Sequence, residues 1–437
     1  MRRASFLVSA AAFSAAAFSA ACATDPDPAG ANAADSDAPS ATAPTWHAEV
    51  KPLLQQKCLA CHGADAALSG LSFAEYEQAR DWRVAIGAAV AAGTMPPWLA
   101  DGDCADYAND FSLTDDEKAT LAAWVAADAP EGDPATAAPD AEPFALPTLD
   151  RIDATLEMPS AYTPPADQVD DYRCFILDWP YDDDAWVTGY DVAPGNLDVV
   201  HHLIPYIISP ADAETFRQLD ADDPGEGYDC FGGPGGDVQT LIETRWLGSW
   251  APGVGASRLP EGHGIRVPAG SLIVAQLHYN LGASGPAADQ SAIHLQVETE
   301  RQKGASIQPC TEVSWVLGAG MDIPANTDDV THEMAYEITA GDGTFTMHGA
   351  GLHMHTLGRS GRLTVEHTDG SESCLLDIPD YDFNWQRGYQ LQEPVTVTQG
   401  DVVRLTCAWD NPTDQDVAWG DGTGDEMCLG TTLLTWE

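Results

Sequence analysis

The chain has 437 residues, 44% of them hydrophobic, enough to build more than one packed core. Nineteen Lys and Arg stand against 68 Asp and Glu, a formal net charge of −49. That balance excludes nucleic acid as a partner, because phosphate recognition needs clustered cations. The ordinary reading of the acidity is solubility or adaptation to salt, and the sharper one is repulsion of anions and steering of cationic partners.

Met1-Arg2-Arg3 is followed by an Ala- and Ser-rich apolar run from Ala4 to Ala21. It is short for a membrane span and is patterned as a signal peptide over residues 1–22. Ser19-Ala20-Ala21 before Cys22 resembles a lipoprotein cleavage box, although the usual Leu three positions before the Cys is absent. Membrane anchoring by a lipid at Cys22 is expected, with plain cleavage near the same point as the alternative. The expected location is outside the cytoplasm, periplasmic or at the cell surface, where paired Cys are read as disulfides. Residues 23–43 are Ala, Asp, Pro, Ser and Thr with almost no large apolar residue, the composition of a disordered tether.

Residues 44–128 show helical spacing over Glu49–Lys57, Phe73–Ala92 and Leu113–Ala127, with Ser112 as an N-cap before the acidic turn Asp115-Asp116-Glu117. Cys58-Leu59-Ala60-Cys61-His62 is the C-x-x-C-H pattern. Its two thiols can each bond a haem vinyl, and the adjacent His then lies under the iron. A bare C-x-x-C serves equally as a redox pair or half a zinc site; the following His in an exported chain favours one covalent haem c. Met95, between Thr94 and Pro96-Pro97, is the candidate sixth ligand, with a packing Met as the alternative. The stretch from Val50 to Trp124 resembles a class I-like cytochrome c, so a small all-α cytochrome c domain is expected over 44–128. Ala129–Leu146 reads as a flexible linker that spans roughly 20–25 Å.

From 147 onward short apolar runs are punctuated by Gly, Pro, Asn and Asp: Leu203–Ile208, Ser271–Tyr279, Ala335–Thr339, Thr344–His348, Arg362–Glu366 and Asp401–Trp409. Gly341-Asp342-Gly343 reads as a hairpin turn. The pattern predicts two all-β, jelly-roll-like sandwich domains, 147–305 and 306–437.

This β region carries His201-His202, His278 in Gln276-Leu277-His278-Tyr279, His353-Met354-His355, and Met427 in Asp425-Glu426-Met427-Cys428. Adjacent His on a regular strand point to opposite faces, so His201 and His202 need a kink to share an ion. Alone, the pair reads as one exposed and one buried His, and His278 as a core histidine. His353 and His355 share a face and can chelate one ion. A Met with two His is a soft set suited to Cu(I). His263, His294, His332, His348 and His367 lack motif support, and only the closeness of His348 to His353 draws suspicion.

Together these motifs resemble the type II copper, ascorbate-dependent monooxygenases (peptidylglycine alpha-hydroxylating and dopamine beta-monooxygenase-like), from about Tyr172 to the C-terminus. The resemblance implies two sandwiches facing each other across a cleft and two separate copper ions. One, on His201, His202 and His278, stores and passes an electron. The other, on His353, His355 and Met427, binds O2 and hydroxylates a C–H bond of a small molecule. It also implies a Cys407–Cys428 disulfide and a role for Cys174, whose usual partner is missing; Cys174–Cys230 and Cys310–Cys374 are guesses. Seven Cys remain after Cys22, Cys58 and Cys61, so either one thiol is unpaired or that allotment of the ten is wrong. The peptide-amidating branch clamps a carboxylate with an Arg and a Tyr where this chain has Gly351 and Thr431. An amine or neutral substrate, not peptidylglycine, is therefore expected. Electrons are expected from ascorbate, a redox protein or the chain's own haem, through the His201–His202–His278 copper. Two other readings stay open: a non-catalytic copper-binding electron-transfer lipoprotein, and a cytochrome fused to a carbohydrate-binding or adhesion sandwich.

Overall fold

The structure is a computed structural model that describes residues 43–64, 70–142, 144–230, 232–236, 244–281, 285–339, 343–420 and 422–437. The signal segment, Cys22, the tether through residue 42 and the Gly341-Asp342 turn lie outside the described residues.

Thr114, not Ser112, caps the helix Asp115–Ala126. Its hydroxyl accepts from Glu117 N while the Glu117 carboxylate reaches back, and Asp115, Asp116 and Glu117 sit in the electropositive first turn. Leu121 and Trp124, three apart, share the inward face and pack with Trp46, Val50, Leu54 and Phe73.

An all-α cytochrome c domain does not emerge. Only 16% of the structure is helical, and residues 43–437 form one compact unit. After Met95 the chain leaves the helices and enters the β core. Asp101 N donates to Asp377 O at 2.8 Å, Tyr107 bridges Leu391, and Cys104 is bonded to Cys374. Tyr107 is buried there among Trp315, Tyr381 and Tyr389. The physical reason is size. Helices of 4 to 12 residues are marginal alone, and this segment completes its burial against the sheet. The expected free linker is likewise docked: Trp46 N and His47 N donate to Pro130 O and Glu131 O, and Lys51 pairs with Asp140 at 2.6 Å.

Two independent sandwiches are not what the ladder shows either. A 14-stranded sheet runs through the region. The strand Lys303–Cys310 crosses the expected division at 305/306. It pairs with His263–Val267 on one side and with Leu429–Trp436 on the other. A second, four-stranded sheet is built from Thr327–Glu337, Val402–Asn411, Gly358–Glu366 and Glu372–Ile378. Its inward residues Leu363, Val365, Leu405 and Trp409 form the C-terminal core with Leu352 and Met354. Among the described residues there are three disulfides: Cys104–Cys374, Cys174–Cys230 and Cys407–Cys428. The guess of Cys310–Cys374 fails because Cys104, carried in by the helical segment, reaches Cys374 first. Cys310 is the odd thiol.

Candidate metal centre

His201 and His202 lie on the strand Val200–Ile208, which pairs with Leu272–Asn280 so that His202 faces His278. The register shifts between Val200 and His202. This irregularity supplies the kink that two adjacent His need to share one side. The Nδ1 atoms of His201 and His202 lie 3.3 Å apart, about the separation (about 3.3 Å) of two nitrogens bound to one tetrahedral ion. One ring nitrogen from each of His201, His202 and His278 falls within 4.8 Å of the others.

His278 is 1% exposed, and its Nε2 lies 2.9 Å from the Asp170 carboxylate. A carboxylate only accepts, so Nε2 carries the proton and Nδ1 the lone pair. That Nδ1 is buried with no hydrogen-bond partner. An orphaned lone pair beside two further imidazoles fits a metal ion. Burial alone raises the Asp170 carboxyl, but hydrogen bonds from His278 and Asn280 hold it at about 2. Tyr172 stacks on His278 at 4.2 Å, fixing the ring plane.

The second set is arranged by the same logic. His353 ends the strand Phe345–His353, and His355 follows, with ring centroids 5.0 Å apart and Met354 turned into the core. Gln386 Oε1 lies 2.5 Å from His353 Nδ1, and the Asp425 carbonyl 3.1 Å from His355 Nδ1. Both partners accept, which leaves each Nε2 as the donor to a metal. Leu429 pairs across from His353, which brings the buried Met427 to the same end of the sheet. Glu426, fully buried, accepts from the backbone of His355 and Met427 and from Trp409 Nε1. His348 does not join: its Nε2 meets the Thr435 hydroxyl at 2.8 Å.

The two sets do not face each other across an open cleft. The rings of His202 and His353 are 6.1 Å apart, and Phe383 stacks on His201 while presenting its edge to His355. Sequence reasoning missed Asp170, Gln386, Phe383 and the role of Glu426. Only Glu426 carried a local signal, as part of the Met427 motif; Asp170 is 108 residues from the His it holds.

Cys58, Cys61, His62 and Met95 line one apolar cavity of about 380 Å³. The Leu71 carbonyl lies 3.2 Å from His62 Nδ1, which makes Nε2 the lone-pair nitrogen. Burial pushes the Cys58 thiol up to about 12 and raises Cys61. The neutral thiols, the imidazole and the thioether around an apolar space fit a covalently held haem.

Residues 310–431 match the C-terminal domain of the copper type II ascorbate-dependent monooxygenases. The match contains His353, His355, Met427 and the Cys407–Cys428 disulfide; it stops short of the first set. No curated protein matches the chain. Among solved structures it is similar to a chain in the atomic structure of Sulfolobus Turreted Icosahedral Virus. That likeness has 11% identity and a TM-score of 0.16, and spans 63% of this chain and 58% of that one. A two-domain protein of unknown function from Bacteroides fragilis is 10% identical at a TM-score of 0.16, with 61% and 85% covered. Neither likeness bears on the fold.

In this centre, burial lowers His201 to about 3, aided by His278, and His353 to about 3, aided by His355. It lowers His355 to about 4 against the pull of the Asp425 carbonyl, and His202 well below the ordinary value. Their folded values lie below the unfolded one of about 6.5. Stability from these groups is therefore complete above that pH and is lost as pH falls from about 6.5 toward 4. The apo protein is expected to melt at progressively lower temperature between pH 7 and 5. Copper affinity of the folded protein at His353, His355 and Met427 should change by less than about threefold over that range, because His353 and His355 stay neutral. Chelator-competition titrations at the two pH values check it; a tenfold loss at pH 5 contradicts it.

Proposed function

We propose that the protein is an exported copper-dependent monooxygenase that hydroxylates a C–H bond of a small amine or neutral molecule. The supporting observation is the pair of adjoining imidazole sets, with acceptors that select the ligand nitrogens of His278, His353 and His355, and with the second set inside the stretch that matches the copper family. Copper held there supplies the one-electron chemistry by which dioxygen oxidises a C–H bond. Substrate, O2, two electrons and two protons give the alcohol and water. Asp170, Gln386 and the Asp425 carbonyl orient the imidazoles, Met427 offers a soft donor, and the buried rings exclude water. The reading includes a covalent haem on Cys58 and Cys61 with His62 and Met95 as axial ligands. It also includes secretion with a lipid at Cys22, and ascorbate or a redox protein as the external reductant.

The test is copper per chain on purified protein, with Met427→Ala beside it. Two coppers, with one lost or weakened in the variant and oxygen uptake lost with it, are expected. No stoichiometric copper defeats the proposal.

Peptidylglycine is not the substrate in this reading. Gly351 and Thr431 are direct partners across neighbouring strands, and a Cβ at Gly351 would sit 2.6 Å from the Thr431 hydroxyl. Neither residue carries a cation that could clamp a carboxylate there. A glycine-extended peptide is expected to give no amidated product by mass spectrometry, and efficient amidation would refute the assignment.

A further inference from the structure

The cavity around Cys58, Cys61, His62 and Met95 is not closed by the helical segment alone. Leu197, Pro252–Val254 and Trp385–Arg387 from the β region complete its wall. Of these, Gln386 has a second contact. It lines the cavity, and its Oε1 lies 2.5 Å from His353 Nδ1. One hydrogen bond and one imidazole therefore separate the cavity wall from the donor nitrogen of His353.

We propose that Gln386 is the positioning residue through which an electron passes from the cavity to the second imidazole set. The electron thus reaches the copper cluster at His353, and not at His201, His202 and His278 as the sequence suggests. This rests on the haem reading. The segment around Gln386 is held in place. Its Nε2 donates to Phe383 O at 2.9 Å, and the Phe383 ring lies between His201 and His355. The neighbouring Arg387 guanidinium sits over the rings of Phe111, Trp98 and Tyr389, at 4.7, 5.2 and 5.9 Å. Its Nε is buried without a hydrogen bond, and among the described residues no carboxylate lies within ion-pair distance of it. Aromatic faces thus clamp this cation, which fixes the backbone of Gln386. The first set has no matching contact. His278 spends its outward nitrogen on Asp170, His201 leans on Phe383, and none of the three lines the cavity. Covalent and hydrogen bonds carry an electron better than gaps of similar length, so the bonded route is favoured.

The step moves one electron and no atoms. Ferrous haem becomes ferric, and the cupric ion on His353, His355 and Met427 becomes cuprous. An external one-electron donor, ascorbate in the test, then restores the haem.

The experiment uses the full chain, haem-loaded, reduced with ascorbate and freed of excess reductant under argon. It is mixed with Cu(II), and the ferrous haem absorbance is followed alongside the cupric paramagnetic signal. Haem oxidation is expected to slow about tenfold or more in Gln386→Leu. It should recover in Gln386→Glu, which keeps an acceptor at Nδ1, and survive in His278→Ala, which dismantles the first set. Should Gln386→Leu fail to hold the second copper, Gln386→Asn, one methylene short, is expected to show the same slowing. Unslowed oxidation in the copper-loaded Leu or Asn variant, or its loss in His278→Ala, overturns the proposal. A chain that carries no covalent haem overturns the haem reading instead, and this shows in the spectrum before any mixing.

Discussion

Glu426→Ala is expected to remove at least about 4 kcal/mol of stability, because four buried donors are left without an acceptor at a cost of about 1–3 kcal/mol each. Four donors converge on this carboxylate: Leu357 N at 2.6 Å, Trp409 Nε1 at 2.7 Å, His355 N at 3.1 Å and Met427 N at 3.3 Å. Glu426 is fully buried, so water cannot replace it without entering the core. Burial pushes its carboxyl up, and the backbone donors of Leu357 and His355 pull it down. Two of the four donors belong to His355 and Met427, so the same loss is expected to release the copper of the second set. Glu426→Gln is the sharper control. It keeps the volume but points an NH2 at N–H groups, so it should recover only part of the stability. Denaturant unfolding and copper per chain measure both effects. A Glu426→Ala protein within about 1 kcal/mol of the parent, with both coppers in place, would contradict the account.

The strands were legible because short apolar runs bounded by turn residues are a local signal. Leu203–Ile208 lies inside the strand Val200–Ile208, and Ser271–Tyr279 is offset by one residue from Leu272–Asn280. The His motifs were legible for the same reason, since each is contiguous. How the pieces join was not. The strand Lys303–Cys310 looks like any other strand in sequence, yet it carries the ladder across the expected domain division. Tyr107 and Cys104 look like parts of a helical segment, yet they belong to the C-terminal core and its disulfide. The residues that select ligand nitrogens are remote for the same reason. Asp170 and Gln386 are ordinary polar residues in sequence, and only strand register and loop closure bring them to His278 and His353. The N-cap was misplaced by two residues because Ser112 and Thr114 are equally good caps, and only Thr114 has Glu117 three residues on.

Asp170→Ala is expected to weaken copper at the first set by 10–100-fold, the usual cost of removing a carboxylate behind a metal-bound imidazole. Asp170→Asn should fall near the lower end. The amide oxygen can still accept from Nε2, but the charge that polarises the ring is gone. The effect acts through geometry as well as charge. Asp170 also accepts from Asn280 at 2.9 Å, so its loss frees the end of the strand that presents His278. Competition against a Cu(I) chelator reads the two affinities separately. Only one should fall, because Asp170 hydrogen-bonds His278 and none of His353, His355 or Met427. Equal affinity at both sites in Asp170→Ala would mean that His278 needs no carboxylate to bind. Parallel loss of both ions would mean something different. With His202 and His353 only 6.1 Å apart, the five imidazoles would then hold their coppers as one coupled cluster. By linkage, filling either site would then change the affinity of the other by the same factor.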